Sequence, residues 1–260
     1  GSDVTVPTHA VEIDCKGKTL LPGLIDAHVH IDNPQSLVQA LVFGVTTELD
    51  MFMSYELAAA IRRGECGSTT EMADFRTAGT AATSPGGHCT EYGLRIPTIS
   101  KPENAQAFVD ARIEEGSDYI KIIYEGGGPA GVTKPVLEAL IRAAHKRQKV
   151  AVVHISTQQA AREAIEAGAD GLAHIFADQQ PNEDFGLLTA KHGAFIVPTL
   201  SVIEALCGVG GGKSLAADQS FSGFLSENAV SNLKKSFQAK WSFSVAQKAV
   251  GLLRSANVPI

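Results

Sequence analysis

Leu20-Leu21-Pro22-Gly23-Leu24-Ile25-Asp26-Ala27-His28-Val29-His30 decides how the rest of the chain is read. It opens as an apolar strand and ends on two histidines separated by one residue. Alternate side chains of a strand share a face, so the spacing predicts Asp26, His28 and His30 on one side. Two imidazoles about 7 Å apart along that face can converge on a metal pair at the strand's C-terminal end. Taken alone, a His-x-His pair is more often an ordinary polar strand end, so the remaining sequence has to decide.

Working outward, a unit recurs in which a helical pattern ends on Gly and releases a short β-branched strand. Its instances are Phe43-Gly44-Val45-Thr46-Thr47, Glu115-Gly116-Ser117-Asp118-Tyr119-Ile120, Ala167-Gly168-Ala169-Asp170-Gly171-Leu172 and His192-Gly193-Ala194-Phe195-Ile196-Val197. Each Gly suits a left-handed residue just past a helix end. Helix starts are visible at the capping-box pattern Ser100-Lys101-Pro102-Glu103, at Thr133-Lys134-Pro135 and at Ser156-Thr157. Strands are expected at 20–27, 45–50, 73–78, 119–123, 150–154, 171–175 and 194–200, with an eighth beginning at Val258-Pro259-Ile260. Alternation at this rhythm implies parallel βαβ units. The fold class expected is α/β: a (β/α)₈ TIM barrel incomplete at strand eight, occupying 20–260. An open doubly wound sheet is the alternative, although no Gly-x-Gly-x-x-Gly turn follows the first strand. Residues 1–19 read as a lead-in, with Ala10-Val11-Glu12-Ile13-Asp14 alternating like a half-exposed strand.

Bulk properties narrow the function. The 260 residues are 44% hydrophobic and 19% charged, which describes a globular chain without a disorder signature. A net charge of −6, with no basic cluster, argues against nucleic acid or an anionic membrane as partner. No apolar run reaches the ~18 residues of a membrane span. Cys15, Cys66, Cys89 and Cys207 lack Cys-x-x-Cys spacing, so neither a disulfide framework nor a thiolate zinc site is expected. Gly1-Ser2 reads as the scar of a cleaved tag, which leaves a targeting segment open and a cytoplasmic location as the default expectation. A small-molecule substrate is the expected partner, and homo-oligomerisation stays open.

Three further groups carry chemistry. Lys121 interrupts the apolar strand Tyr119-Ile120-Lys121-Ile122-Ile123, where a lysine must reach an opening, find a partner or be neutralised. A snorkelling amine is the plain reading. The alternative is an amine kept neutral by burial that captures carbon dioxide as a carbamate. His154 and His174 end two consecutive expected strands, and in a barrel all such ends face one mouth. His88, in the loop Ser84-Pro85-Gly86-Gly87-His88-Cys89-Thr90, and Tyr124, just past the lysine strand, are candidate substrate contacts; His9, His145 and His192 are read as structural. Cys207-Gly208-Val209-Gly210-Gly211-Gly212-Lys213-Ser214 fails as a phosphate loop because Cys stands where the motif needs Gly. Residues 201–226 are expected to form a long loop able to act as a lid, and 227–256 a helix.

This constellation of His-x-His, Lys, His and His resembles the metal-dependent amidohydrolase superfamily. It is most similar to the imidazolonepropionase-like and the Xaa-Pro dipeptidase or arginine carboxypeptidase-like members. Gly44-Val45-Thr46-Thr47, Gly86-Gly87-His88 and Val197-Pro198-Thr199-Leu200 add to the likeness, which covers roughly 10–260. The resemblance implies that His28 and His30 bind one divalent cation, His154 and His174 a second, and that carboxylated Lys121 bridges them. Nitrogen and oxygen donors without thiolates suit Zn²⁺, with Mn²⁺, Fe²⁺ or Co²⁺ open. It also implies hydrolysis of an amide-like bond, in a dipeptide or N-acyl amino acid, by a hydroxide shared between the metals. An esterase, lactonase or phosphotriesterase-type hydrolase and a non-catalytic barrel scaffold are the alternatives. A proton-shuttling aspartate is expected at strand eight, beyond Ile260, and residues 1–19 would belong to a small β-sandwich.

Overall fold

In the computed structural model, residues 5–235 and 237–260 are described; Gly1-Ser2 lies outside them. Seven strands alternate with helices: β1 (Leu24–Val29), α1 (Pro34–Val42), β2 (Val45–Asp50), α2 (Tyr55–Arg62), β3 (Asp74–Thr77), α3 (Ala105–Glu114) and β4 (Ile120–Ile123). There follow α4 (Lys134–Lys146), β5 (Ala151–His154), α5 (Gln158–Glu166), β6 (Gly171–Ala173), α6 (Phe185–Lys191) and β7 (Phe195–Val197). The chain continues through α7 (Leu200–Leu206), α8 (Gly212–Ala217), α9 (Glu227–Lys234) and α10 (Phe243–Ser255).

Local chemistry sets these boundaries. Asn33 caps α1 by accepting from the Ser36 amide, with Pro34 in the first turn, where its missing N–H costs nothing. Ser54 and Thr157 cap α2 and α5 in the same way. Gly44, Gly116, Gly168 and Gly193 all take positive φ, as the recurring helix–Gly–strand unit requires. The expected capping box at Ser100 does not form; a 3₁₀ turn at Pro102–Asn104 leads into α3 without a side-chain cap.

All strand pairs are parallel, in two sheets ordered β1-β2-β3 and β4-β5-β6-β7. Past β3 the chain takes a positive φ at Gly79, and Ala82 then bridges to Ile122 of β4. The Ala82 amide donates to the Lys121 carbonyl at 2.8 Å, and the Ile123 amide donates to the Ala82 carbonyl at 2.9 Å. At the other end, the Ile196 amide donates to the Pro259 carbonyl, which lays 258–260 beside β7. Among the described residues no ladder joins β7 to β1, so the parallel arc is not a closed barrel.

The main core lies between the outer faces of β4–β7 and the helices α3–α6 and α10, where Leu137, Leu140, Phe176 and Phe185 are fully buried. Each is worth ~1.5–3 kcal/mol relative to exposure. A second cluster packs Ile31, Leu37, Ile61 and Phe75 between β1–β3 and the helices α1 and α2. Inside the arc, Met51, Val152 and Ala173 form a smaller layer with Tyr119 and Phe195. Close approach of α10 to α6 depends on Gly186, where a Cβ would sit 2.3 Å from the Leu252 carbonyl oxygen.

Three further expectations differ from the structure. Residues 10–14 belong to no strand and are exposed, and no strand among the described residues pairs with them. The segment 201–226 is not one long loop: α7 and α8 form within it, and Leu200, Ile203 and Leu206 anchor α7 to the core. Its far end is pinned to α1, where Gln39 Nε2 donates to the Phe224 carbonyl and Ser226 Oγ donates to Gln39 Oε1. The single helix expected over 227–256 is two helices, α9 and α10, separated by a non-helical stretch. No helix among the described residues is long and apolar enough to cross a membrane.

Candidate metal centre

Strand parity builds the site. Ile120, Ile122 and Tyr124 face the outer core, so Lys121 and Ile123 turn into the arc. Lys121 is 2% exposed and its Nζ has no hydrogen-bond partner. His154 ends β5, and His174 follows β6 with its backbone in the left-handed region at φ 76°. His28 and His30 arrive from β1 after a register shift between Asp26 and Val29. Asp26 Oδ1 accepts from the His28 amide at 3.1 Å. Asp26 pairs with Glu48 of β2, whereas the two histidines line the cavity.

The imidazoles meet in one cavity of about 640 Å³ at the C-terminal ends of the strands. Ring centroids are 5.3 Å apart for His28 and His30, 4.5 Å for His28 and His174, and 4.7 Å for His154 and His174. His88 joins the group 4.8 Å from His154, so this sequence candidate does reach the site. Its Nδ1 lies 2.7 Å from Glu91 Oε1, and its ring packs edge-on against Tyr92.

Tyr124 does not reach the cavity. It is 1% exposed on the outer face of β4, and its hydroxyl donates to Glu163 of α5. The expected substrate contact therefore fails on parity. Sequence reading also missed four residues that the fold brings in. Glu125, two residues past β4, lies 2.9 Å from His154 Nε2 and accepts from the Ser156 hydroxyl. Thr199, itself at φ 45°, hydrogen-bonds His174 Nδ1 at 2.6 Å. Tyr92 and Trp241 line the remaining wall. Glu125 carried a local signal, being a carboxylate at a strand's C-terminal end; Thr199 stood in a motif of the family likeness with no sign of its own role, and Trp241 carried no signal.

Burial dominates the electrostatics. It lowers Lys121 to about 7, against weaker raising influences from Cys89 and Asp50. His30 is lowered to about 4, by burial first and then by the charge of Lys121. Burial and neighbouring charge also hold His28, His154 and His174 well below the ordinary imidazole value. Burial raises the Glu125 carboxyl. Neutral His154 therefore donates Nε2–H to Glu125 as a hydrogen bond rather than forming an ion pair, and Nδ1 keeps its lone pair.

These residues fit divalent cations in donor chemistry. Neutral imidazoles are the ligand form, and both His28 Nδ1 and Lys121 Nζ are buried without partners. The partners of His154 and His174 orient each ring and leave one nitrogen available. Among the described residues, however, no three His, Cys, Asp or Glu side chains are grouped closely enough to hold a metal ion. Lys121 Nζ, buried beside them, is an amine donor, and only a carboxylated form would add anionic oxygens there.

Known proteins of this fold are similar along most of the chain. A prolidase solved with N-methylphosphonate-L-proline matches at a TM-score of 0.68 and 22% identity, over 98% of this chain and 68% of that one. A Xaa-Pro dipeptidase with bound methionine matches at 0.61 and 19% identity, over 92% and 71%. The ochratoxinase of A. niger matches at 0.63 and 20% identity, over 92% and 62%. At these identities the likeness is one of fold. A search of curated protein sequences returns no match. The Amidohydrolase family profile matches residues 19–234, far more than half of the sequence, and with that match the chain belongs to the amidohydrolase family.

Proposed function

We propose that this chain carries the catalytic centre of a metal-dependent hydrolase that cleaves an amide-like bond. The observation that supports the reading most is the gathering of His28, His30, His154 and His174 around the buried, unpartnered Lys121 amine. The ends of β1, β5 and β6 deliver the four histidines to one cavity, and Lys121 of β4 is buried beside them. His28 and His30 would hold one divalent cation and His154 and His174 another. Zn²⁺ is the best match to the donor set. When bound, such cations supply Lewis acidity, making water nucleophilic at neutral pH and polarising a carbonyl oxygen.

The chain's own residues do the rest. Neutral Lys121 Nζ would attack the carbon of carbon dioxide, forming an N–C bond as one C=O π pair moves to oxygen and losing a proton to solvent, which leaves a carbamate anion on the side chain. Glu125 and Thr199 hold the rings of His154 and His174 in one orientation. His88 and Tyr92 stand at the cavity wall, where they can meet a substrate's polar groups.

Dipeptides and N-acyl amino acids are the substrates to screen first, supported by the dipeptidase and prolidase folds to which the chain is similar. Esters, lactones and phosphotriesters form the second panel, because the same nucleophile attacks all of them. Hydrolysis that stops on chelation and returns with zinc supports the proposal. Turnover indifferent to chelation rejects it.

A further inference from the structure

The cavity has two unlike walls. One carries the imidazoles. Facing the same space are Val202, Ile203 and Leu206 of α7 and the indole of Trp241, with Ile155 and Ile175 beside them. Ile203 is buried against the core and fixes the pitch of α7, whereas Val202 stays 45% exposed. Of the polar groups outside the histidine cluster, Ser156 donates to Glu125 and Tyr92 lies beside His88. Among the described residues that line the cavity there is no arginine and no lysine.

A carboxylate moved from water to such a wall loses hydration and needs a charged or multiply donating partner in return. None stands on the α7 side, and the carboxylate of Glu125 repels a second anion. Apolar groups are favoured there by area burial alone.

We propose that the cavity selects substrates whose groups flanking the scissile bond are uncharged and apolar, and discriminates against those bearing a free carboxylate. This rests on the hydrolase reading above and narrows its substrate class. The free-acid dipeptides and N-acyl amino acids of the first screen then become poor ligands, and their amides, anilides or carbamates good ones.

Trp241 is the sole tryptophan of the sequence and lines the cavity, so its fluorescence reports occupancy without any turnover. The test titrates the intact chain with N-butyryl-L-leucinamide and with N-butyryl-L-leucine, which differ only in amide against carboxylate. The amide is expected to give a saturable change with an affinity about tenfold or more above that of the acid. Equal or tighter binding of the acid, or no saturable change with either compound, overturns the proposal. Val202→Arg, at an exposed position, is expected to raise the affinity of the acid at least about fivefold by supplying the missing cation. An unchanged acid affinity in that variant also counts against it. If the amide binds as expected but is never hydrolysed with zinc supplied, the hydrolase reading fails while the selectivity stands.

Discussion

His174 Nδ1 and the Thr199 hydroxyl lie 2.6 Å apart, and both residues have left-handed backbones, at φ 76° and 45°. Neither is Gly, and such conformations cost on the order of 1–3 kcal/mol each. The strands β6 and β7 thus hold two strained residues face to face, joined by one hydrogen bond. With Nδ1–H donating to Oγ1, the His174 lone pair sits on Nε2. Thr199→Val keeps the volume and removes the bond. Zinc affinity in that variant is expected to fall about 10–100-fold, measured by competition with a chromophoric chelator. Unchanged affinity would show that the hydroxyl does not position the ring.

Lys121 separates a structural role from a functional one. Its amine is buried without a partner, a cost the fold bears with no visible structural return. Lys121→Met fills the same space with an apolar chain. Stability in urea is expected to stay equal or rise by about 1–3 kcal/mol, while metal uptake and hydrolysis are lost together. A variant that loses stability yet keeps its metals would contradict the account.

Tyr124 offers the opposite control. Because its hydroxyl reaches Glu163 outside the arc, Tyr124→Phe should leave kcat/KM within about twofold of the parent. The loss should appear instead as about 1 kcal/mol of stability. A large fall in kcat with intact folding would return Tyr124 to the site.

Asp50 sets a pH dependence of unusual sign. Burial lifts its carboxyl from the ordinary 3.8 to about 7, despite hydrogen bonds donated by the Thr77 hydroxyl at 2.6 Å and the Ile31 amide at 2.9 Å. The folded chain therefore binds this proton more tightly than the unfolded chain does. Its contribution to stability is full below about pH 4 and is lost as pH rises through about 7, at up to about 1.4 kcal/mol per pH unit. Urea melts of chelator-treated protein between pH 5 and 8 should show this slope, and Asp50→Asn should reduce it to the part set by Glu48, whose carboxyl burial lifts to about 7 as well. An identical slope in the variant assigns the effect elsewhere.

How much of this was legible in the sequence follows from the range of each signal. Strand-end histidines and the helix–Gly–strand unit are local, and the seven strands fall within a few residues of their expected places. Lys121 was legible because a cation in an apolar strand is anomalous by itself. Tyr124 was misplaced although parity was available: it stands three residues from Lys121, and an odd separation in a strand means opposite faces. The register shift inside β1 was invisible, since no residue type marks it. Thr199 and Trp241 meet the site only through tertiary packing. The Gly-rich run at 208–212 masked the helices on either side of it, and with them the apolar wall of α7.

The most direct test of the central claim is metal and carbamate stoichiometry on the same sample. The chain is dialysed against zinc and ¹³C-labelled bicarbonate at neutral pH, then analysed for metal content and by ¹³C NMR. Roughly two divalent cations per chain and one carbamate signal are expected, both absent in Lys121→Met. A folded chain that takes up no zinc under these conditions, or takes it up equally without Lys121, would contradict the claim.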